Sequence, residues 1–453
     1  MNRRPSISSS SSDLIFQRSV VLAKASRIFD LEAYASRYAK HSETRLQRLI
    51  FIAASAGDAV EKLSMRNDNE CLTVDAIDAG CTEEDLLCLV RLCRTGYEMA
   101  RNELMETHNV SRYRQLFCKA PAMMQSNSGA GDSASGEFQL QRKVESLAVA
   151  STAGNSGFGS MTSPETTTPV GDAVGESMGQ QQNAMRHFKF HRIECDEEWM
   201  NRVQQENSIK MEVLESRLNT AKSRLNKESI RSSYLEFGDF YKSKGMLRES
   251  RMCHLRSREY CSTPKQNGQM CLSVIELGID LQNFTEVKSY VNKAENTGNL
   301  ISSESLMVAK LRSASGVASM YSNSFGEAGK KFIRVPIELS SEYNTVISPE
   351  DIALYGSILS LASLSRSELQ KNIVDSAMFK QRLELLPWMR DAIRHFTRAE
   401  YGDFMSILEK KKGSMYMDLH LSPHVDNIFH KIRDKCMIQY VMPFLTVKLE
   451  TMG

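Results

Sequence analysis

The chain has 453 residues, 57 basic and 55 acidic side chains, a formal net charge of +2 and 41% hydrophobic residues. That apolar share suffices for a substantial core in two or three domains, whereas the near-neutral balance excludes the strong basic excess of a dedicated nucleic-acid binder. No apolar run approaches the roughly 18 residues that cross a bilayer as a helix, and no secretory h-region is present, so a soluble intracellular chain without membrane contact is expected.

The N-terminal stretch carries Arg3, Arg4, Arg18, Lys24 and Arg27 among many serines and few acids. This is the composition of a mitochondrial transit segment, but residues 1–27 are read here as a disordered Ser-rich tail, in which Arg3–Ser6 (RRPS) has the form of a kinase target. From 28 to 118 the pattern is helical. Leu46, Leu49, Ile50 and Ala53 share a face of LEAYASRYAKHSETRLQRLIFIAASA, and Leu86, Leu89, Val90, Cys93 and Tyr97 recur at three and four in EEDLLCLVRLCRTGYEMARNELM. Between 119 and 197 Ser, Gly, Thr and Gln dominate, which cannot bury enough to offset the entropy of ordering, so a low-complexity, disordered insert is expected with one short helix at FQLQRKVESLAV.

Residues 198–345 read as helical repeats. A long connecting helix over Trp199–Leu225 has Met211, Leu214, Leu218, Ala221 and Leu225 along one seam. In FGDFYKSKGMLRES, Leu247 with Ser250 follows the tight turn of a tetratricopeptide-like pair, and Phe284/Val287, Phe325/Ala328, Arg366/Leu369 and Tyr401/Phe404 repeat it at intervals of 37, 41, 41 and 35 residues. A helix pair of this kind cannot bury its own apolar face and must stack on the next, which predicts a curved solenoid with an extended surface.

The last part, 346–453, opens with a clear helix start. Ser348 is placed to cap, Pro349 suits the first helical position, and Glu350 and Asp351 face the positive end of the helix dipole. The body that follows, with Ile352, Leu354, Tyr355, Ile358, Leu359, Leu361 and Ala362, is apolar nearly all round and belongs in a core. At LSPH, Ser422 and Pro423 repeat the device, and Val425, Ile428, Phe429, Ile432, Cys436 and Tyr440 line the final helix; FLTVKLE after Pro443 begins a strand or one more helix. Ile432 and Tyr440 are the candidate subunit-interface residues.

These stretches resemble the COP9 signalosome subunit 1 family, a helical-repeat and winged-helix branch of the PCI class. The resemblance is carried by LEAYASRYAKHSETRLQRLIFIA, NKESIRSSYLEFGDFY, MCLSVIELGIDLQNFTEVKSYVNKAE, ISPEDIALYG, SELQKNIVDSAMFKQRLELLPWMRDAI and MYMDLHLSPHVDNIFHKIRDKCMIQY. It implies an all-α fold, a tetratricopeptide-like helical-repeat solenoid leading into a PCI domain whose winged helix is truncated, since the positions after Pro443 match only its opening. It further implies a non-catalytic scaffold in a hetero-oligomer with other signalosome PCI subunits, supporting removal of a ubiquitin-like modifier from cullins and so regulating cullin-RING ubiquitin ligases, in cytoplasm and nucleus. A paralogous proteasome lid subunit shares the architecture, and a free helical-repeat adaptor is a third reading.

No cofactor or metal site is expected. Isopeptidases of such complexes use zinc held by a Glu, an H-x-H pair and an Asp, and no H-x-H occurs. His187 and His191 have helical spacing without the Glu of H-E-x-x-H. His420 and His424 are separated by the capping Ser422 and by Pro423, which reads as polar helix-start residues that do not converge. GEAGKK at 326–331 lacks the first Gly and the Ser/Thr of a phosphate loop and is taken as a repeat turn, and Lys410–Lys412 as a solvated helix end. Trp199 and Trp388 are packing anchors. The ten cysteines, at 71, 81, 88, 93, 118, 195, 253, 261, 271 and 436, form no C-x-x-C pair and are expected as reduced core thiols.

Overall fold

The computed structural model describes residues 11–64, 72–118, 195–296 and 305–444. The RRPS stretch, the insert with its short helix, His187, His191 and the segment after Phe444 lie outside these residues. Every element among the described residues is helical, and no helix there is long and apolar enough to cross a membrane.

The N-terminal part comprises α1 (Ser11–Ser26), α2 (Leu31–Ser36), α3 (Glu43–Leu63), α4 (Val74–Asp78), α5 (Glu83–Glu106) and α6 (Val110–Tyr113). Asp30, Ser42, Thr73, Thr82 and Asn109 each accept a first-turn backbone N–H, which satisfies donors that a helix start otherwise leaves orphaned. Helices α1, α3 and α5 pack on one another. The expectation of a disordered tail over 1–27 therefore fails from Ser11 onward. Val20, Leu22 and Ala23 are buried, because this short apolar stripe meets complementary faces that serine-rich composition alone does not reveal.

Beyond the insert, α7 (Glu197–Ser223) is the expected connecting helix. Tyr113, the fully buried last residue of α6, contacts the rings of both Phe117 and Trp199 and holds the start of α7. Met200, Val203, Leu218 and Ala221 are buried, but Leu225 is 84% exposed because it belongs to the following turn and not to the helix seam.

The repeats follow as α8 (Lys227–Ser243), α9 (Leu247–Ser257), α10 (Pro264–Asp280), α11 (Phe284–Glu295), α12 (Ser305–Tyr321), α13 (Phe325–Ile333) and α14 (Pro349–Ser363), each packed on its chain neighbour. The turns share one backbone device. Leu225, Gly245, Gln282, Asn323 and Ala399 have φ of +53°, +70°, +57°, +57° and +63°, and a helix starts two residues after each. The intervening N–H reaches back five residues, as in Met246 to Tyr241 (2.9 Å), Asn283 to Gly278 (2.8 Å), Ser324 to Ser319 (3.1 Å) and Glu400 to His395 (3.0 Å). This is the Schellman closure, in which a left-handed residue ends one helix and aims the next. Leu247, Phe284, Phe325, Arg366 and Tyr401, the residues that set the sequence period, are each the first residue of a helix. Arg366 is the exception in mechanism, since Ser365 and Glu368 form a capping box there in place of the left-handed turn.

The chain continues through α15 (Arg366–Leu369), a π-helical turn Gln370–Val374, α16 (Ala377–Leu383), α17 (Pro387–Thr397), α18 (Tyr401–Tyr416), a 3-10 turn Ser422–His424 and α19 (Val425–Val441). Ser422 does not cap α19. It is buried in the 3-10 turn, where Arg18 of α1 donates to its hydroxyl, and α19 begins at Val425. Helix α1 lies against α18, where a Cβ on Gly413 would stand 2.3 Å from Ala25 Cβ and 2.9 Å from the Val21 carbonyl oxygen, so only glycine permits this approach. One buried cluster runs from Val20 through the repeats to Cys436, and a smaller one joins Leu218, Ala221, Ile230, Tyr234 and Cys253. The N-terminal helices are thus packed into the same core as the C-terminal helices, although 28–118 and 346–453 read as separate domains in sequence.

Candidate subunit interface and its buried support

The joint between the two ends of the chain is built on Arg48. It sits on the inward face of α3 with Leu49 and Ile52, and it is fully buried. Its Nη1 donates to Asp418 Oδ2 (2.7 Å) and the Tyr34 hydroxyl (2.8 Å), and its Nη2 to Asp351 Oδ2 (3.2 Å) and the Tyr355 hydroxyl (3.4 Å). Tyr38 lies under the guanidinium at 4.4 Å and donates to Asp351 Oδ2 at 2.7 Å. Asp351 closes the capping box of α14, taking the Ser348 N–H at 3.2 Å while Ser348 Oγ takes the Asp351 N–H at 3.1 Å. The predicted helix start is therefore correct, and its acid also binds the N-terminal bundle. Asp418, in the bend after α18, accepts from the Tyr355 hydroxyl (2.6 Å) and from the N–H groups of His420 (3.0 Å) and Leu421 (2.8 Å).

Burial raises the Asp351 carboxyl, and Arg48 offsets this only in part. Burial pushes Asp418 in the same direction, but Arg48, His420, the Tyr355 hydroxyl and the Leu421 N–H together bring it below the ordinary carboxylate range. The phenols of Tyr34, Tyr38 and Tyr355 are raised by burial and remain donors. With the guanidinium and both carboxylates so enclosed, the cluster stabilises the joint through fixed geometry; a buried pair gains little net energy but is costly to break.

The two candidate interface residues separate. Ile432 is fully buried between α19 and its neighbours, so it is a core residue and cannot touch a partner. Its helical spacing from Ile428 and Phe429 places it on the inward stripe. Tyr440 is 42% exposed and lies with Met437, Ile438 (62% exposed), Met442 and Phe444, all apolar and exposed, at the C-terminal end of α19. Lys435 holds this end, donating to the Leu361 and Leu364 carbonyl oxygens at the end of α14.

His424 stands at the N-cap of α19 without making a capping bond, but the expectation that His420 and His424 do not converge fails. Both are buried and converge on Tyr321, their rings edge-on to it at 5.9 and 5.4 Å, with the Tyr321 hydroxyl 3.2 Å from His420 Nδ1. The 3-10 turn at Ser422–His424 brings them together where an interrupted helix was expected to part them. Burial, then the charge of Arg48, lowers His420 to about 3, against a smaller opposing pull from Asp418. GEAGKK is not a turn but lies within α13, where Lys331 bonds the hydroxyls of Ser315 and Ser319 at 2.8 and 2.9 Å. Lys410–Lys412 lie inside α18, with Lys412 Nζ over the Phe429 ring at 5.0 Å. Trp199 and Trp388 both pack on the core.

Among the described residues, His395, Glu400 and Asp403 could gather round a metal ion. The group is open to solvent between α17 and α18, and His395 Nδ1 already bonds Glu400 Oε2 at 2.5 Å across the Schellman turn. It reads as turn closure. Cys81, Cys88, Cys93, Cys253, Cys261, Cys271 and Cys436 are free thiols, buried or half-buried, but Cys195 is disulfide-bonded, contrary to the sequence expectation.

A family model described as 26S proteasome subunit RPN7 matches residues 196–372. The COP9 signalosome complex subunit 1 of Arabidopsis thaliana is 37% identical over 289 residues, 64% of this chain and 62% of the relative. Subunit 1b of Drosophila melanogaster is 28% identical over 428 residues, 94% of this chain and 72% of the relative. The chain is similar to COP9 signalosome subunit 1 over most of its length. The COP9 signalosome complex subunit 1 of Emericella nidulans is 32% identical over 258 residues, 57% of this chain and 52% of that protein. The chain thus spans less than two thirds of the length of the Arabidopsis and Emericella relatives.

Proposed function

We propose that this chain is a non-catalytic scaffold subunit of a COP9 signalosome, joining sister PCI subunits and thereby supporting removal of the ubiquitin-like modifier from cullins and regulation of cullin-RING ligases. The observation that carries this reading is the alignment with signalosome subunit 1 over 94% of the chain. A proteasome lid role is favoured only by the description of the family model over 196–372, whereas the curated relatives reported above carry the signalosome name. The structure supports a scaffold physically: its polar centre is sealed and spent on joining α3 to α14 and the bend after α18, and the exposed apolar residues at the end of α19, Met437–Phe444, form a surface suited to a partner. Depleting the protein from cells should raise the fraction of modified cullin without altering the peptidase products of the proteasome. An unchanged cullin pattern, or cleavage of modified cullin by this chain purified alone, refutes the proposal.

Tyr440 and Ile438 are proposed to contact a sister PCI subunit. Ile438→Glu should keep the circular dichroism and melting of the parent and lose at least tenfold in association with that subunit. Unchanged association would remove this end of α19 from the interface.

A further inference from the structure

We propose that Asp280 makes the contact between α3 and α10 a proton-controlled joint, tight while its carboxyl is protonated and loosened once that carboxyl is charged. The start of α3 meets the end of α10 there. Asp280 is the last residue of α10 and is buried; its Oδ1 accepts from the Thr44 hydroxyl at 3.4 Å, and its backbone carbonyl oxygen accepts from Gln47 Nε2 at 2.8 Å. The nearby cation, Lys242 of α8, is spent on Glu276 of α10 at 3.0 Å, so among the described residues Asp280 has no ion-pair partner of its own. Glu43, beside Thr44 on α3, accepts from Gln47 Nε2 at 3.1 Å and is 3.9 Å from Arg112 of α6. Three carboxylates thus meet one ammonium at this joint, with Asp239 of α8 adding a further acid beside Lys242. Between α13 and α14 the Tyr343 phenol is fully buried, its hydroxyl has no partner, and the charges of Glu276 and Asp280 both act on it; Lys310 of α12 lies over its ring at 5.5 Å. On the remaining neighbours, His254 of α9 is lowered to about 4 and stays neutral, and Glu286 of α11 is taken by Arg251.

Three features of this geometry favour the proton. The carboxyl is out of water, it stands at the negative end of the α10 dipole, and its charged form adds to those of Glu43 and Glu276. A protonated Asp280 also brings an O–H to a cluster rich in acceptors. Burial, opposed by Lys242 and helped by Glu43 and Glu276, raises the group to about 7. In a joint opened to water the same carboxyl returns to about 3.9. Opening therefore releases a proton between these two values. The contact is tightest below about pH 4, loosens by at most about tenfold per pH unit as the pH rises toward 7, and changes little above that, where both states are charged. Neutral pH lies at the upper edge of this window, so mild acidification tightens the joint. The inference rests on the Asp280 cluster and does not depend on the proposed assembly.

The test is hydrogen exchange of the full chain from pH 5 to pH 8.5, read in peptides covering 42–52 and 270–282, for the parent and for Asp280→Asn, which keeps the shape and cannot take the charge. The exchange rate of the parent divided by that of the variant, in which the intrinsic effect of pH cancels, should rise by about three- to tenfold per pH unit from pH 5 to pH 6.5 and level off above about pH 7.5. Carbon NMR of the parent labelled at its aspartate carboxyls reads the same group without that variant: one signal should titrate near pH 7, and Thr44→Val, which removes the one side-chain donor to the charged form, should move its midpoint upward. A rate ratio that is constant or falls as pH rises, aspartate carboxyls that all titrate below about pH 5.5, or a midpoint that Thr44→Val leaves in place would each overturn the inference.

Discussion

Replacing Arg48 by Met keeps most of the side-chain volume on α3 and removes the charge that Asp351 and Asp418 share. Four donated hydrogen bonds are lost at once. Breaking a buried pair from one side costs about 3–5 kcal/mol. The lower end applies here, because Asp418 keeps the Tyr355 hydroxyl and two backbone N–H groups and Asp351 keeps Tyr38 and the Ser348 N–H. About 3 kcal/mol is therefore expected near pH 7, as urea unfolding followed by circular dichroism, with faster hydrogen exchange in α2 and α3 as they leave α14. The pH dependence has a definite sign. Without Arg48, Asp351 is raised further by burial and Asp418 loses the largest of the causes that lower it, so relative to the wild type the variant gains stability as pH falls. Wild-type Asp418, held below the ordinary range, gives stability that is present at neutral pH and lost as pH falls. The gap between the proteins should thus shrink as pH falls below about 5. A gap below about 1 kcal/mol at pH 7, or one that widens with acid, would refute the role assigned to the cluster.

Gly413→Leu should drive α1 from α18, with a loss of about 1–3 kcal/mol and new protease cleavage before Leu31, whereas Gly402→Ala, with open space around its Cβ, should be neutral or stabilising by up to about 1 kcal/mol. Ala399→Gly should stabilise by about 0.5–1 kcal/mol in the same unfolding assay, since φ +63° strains any residue with a Cβ. His420 and His254 are lowered by burial to about 3 and about 4, so they stay neutral when folded and protonate on unfolding. Stability should fall as pH drops from about 6.5 toward 4, and His254→Asn should flatten that fall in melting curves; an equally steep fall would contradict the assignment.

The helix starts were legible because their signals are local. Ser348 with Pro349 and Asp351, and the recurrent residues Leu247, Phe284, Phe325 and Tyr401, announce themselves within a few positions, and a Schellman turn is a local event. What sequence could not supply was partnership across the chain. Arg48 meets Asp418 over 370 positions, and nothing in LEAYASRYAKHSETRLQRL tells an inward arginine from a solvated one except its place beside Leu49 and Ile52 on the apolar face. That same cue was present at Ile432, on one stripe with Ile428 and Phe429, and it favours the core. Helix α1 was hidden by serine-rich composition, and the convergence of His420 and His424 by the assumption that a proline between them parts their rings.

The most direct measurement of the central claim is gentle purification of the tagged endogenous protein with mass-spectrometric identification of the chains that come with it. The account predicts the other signalosome subunits in near-equal amounts, with cullins in lesser quantity. Recovery of proteasome lid subunits instead, or of this chain alone, would contradict it.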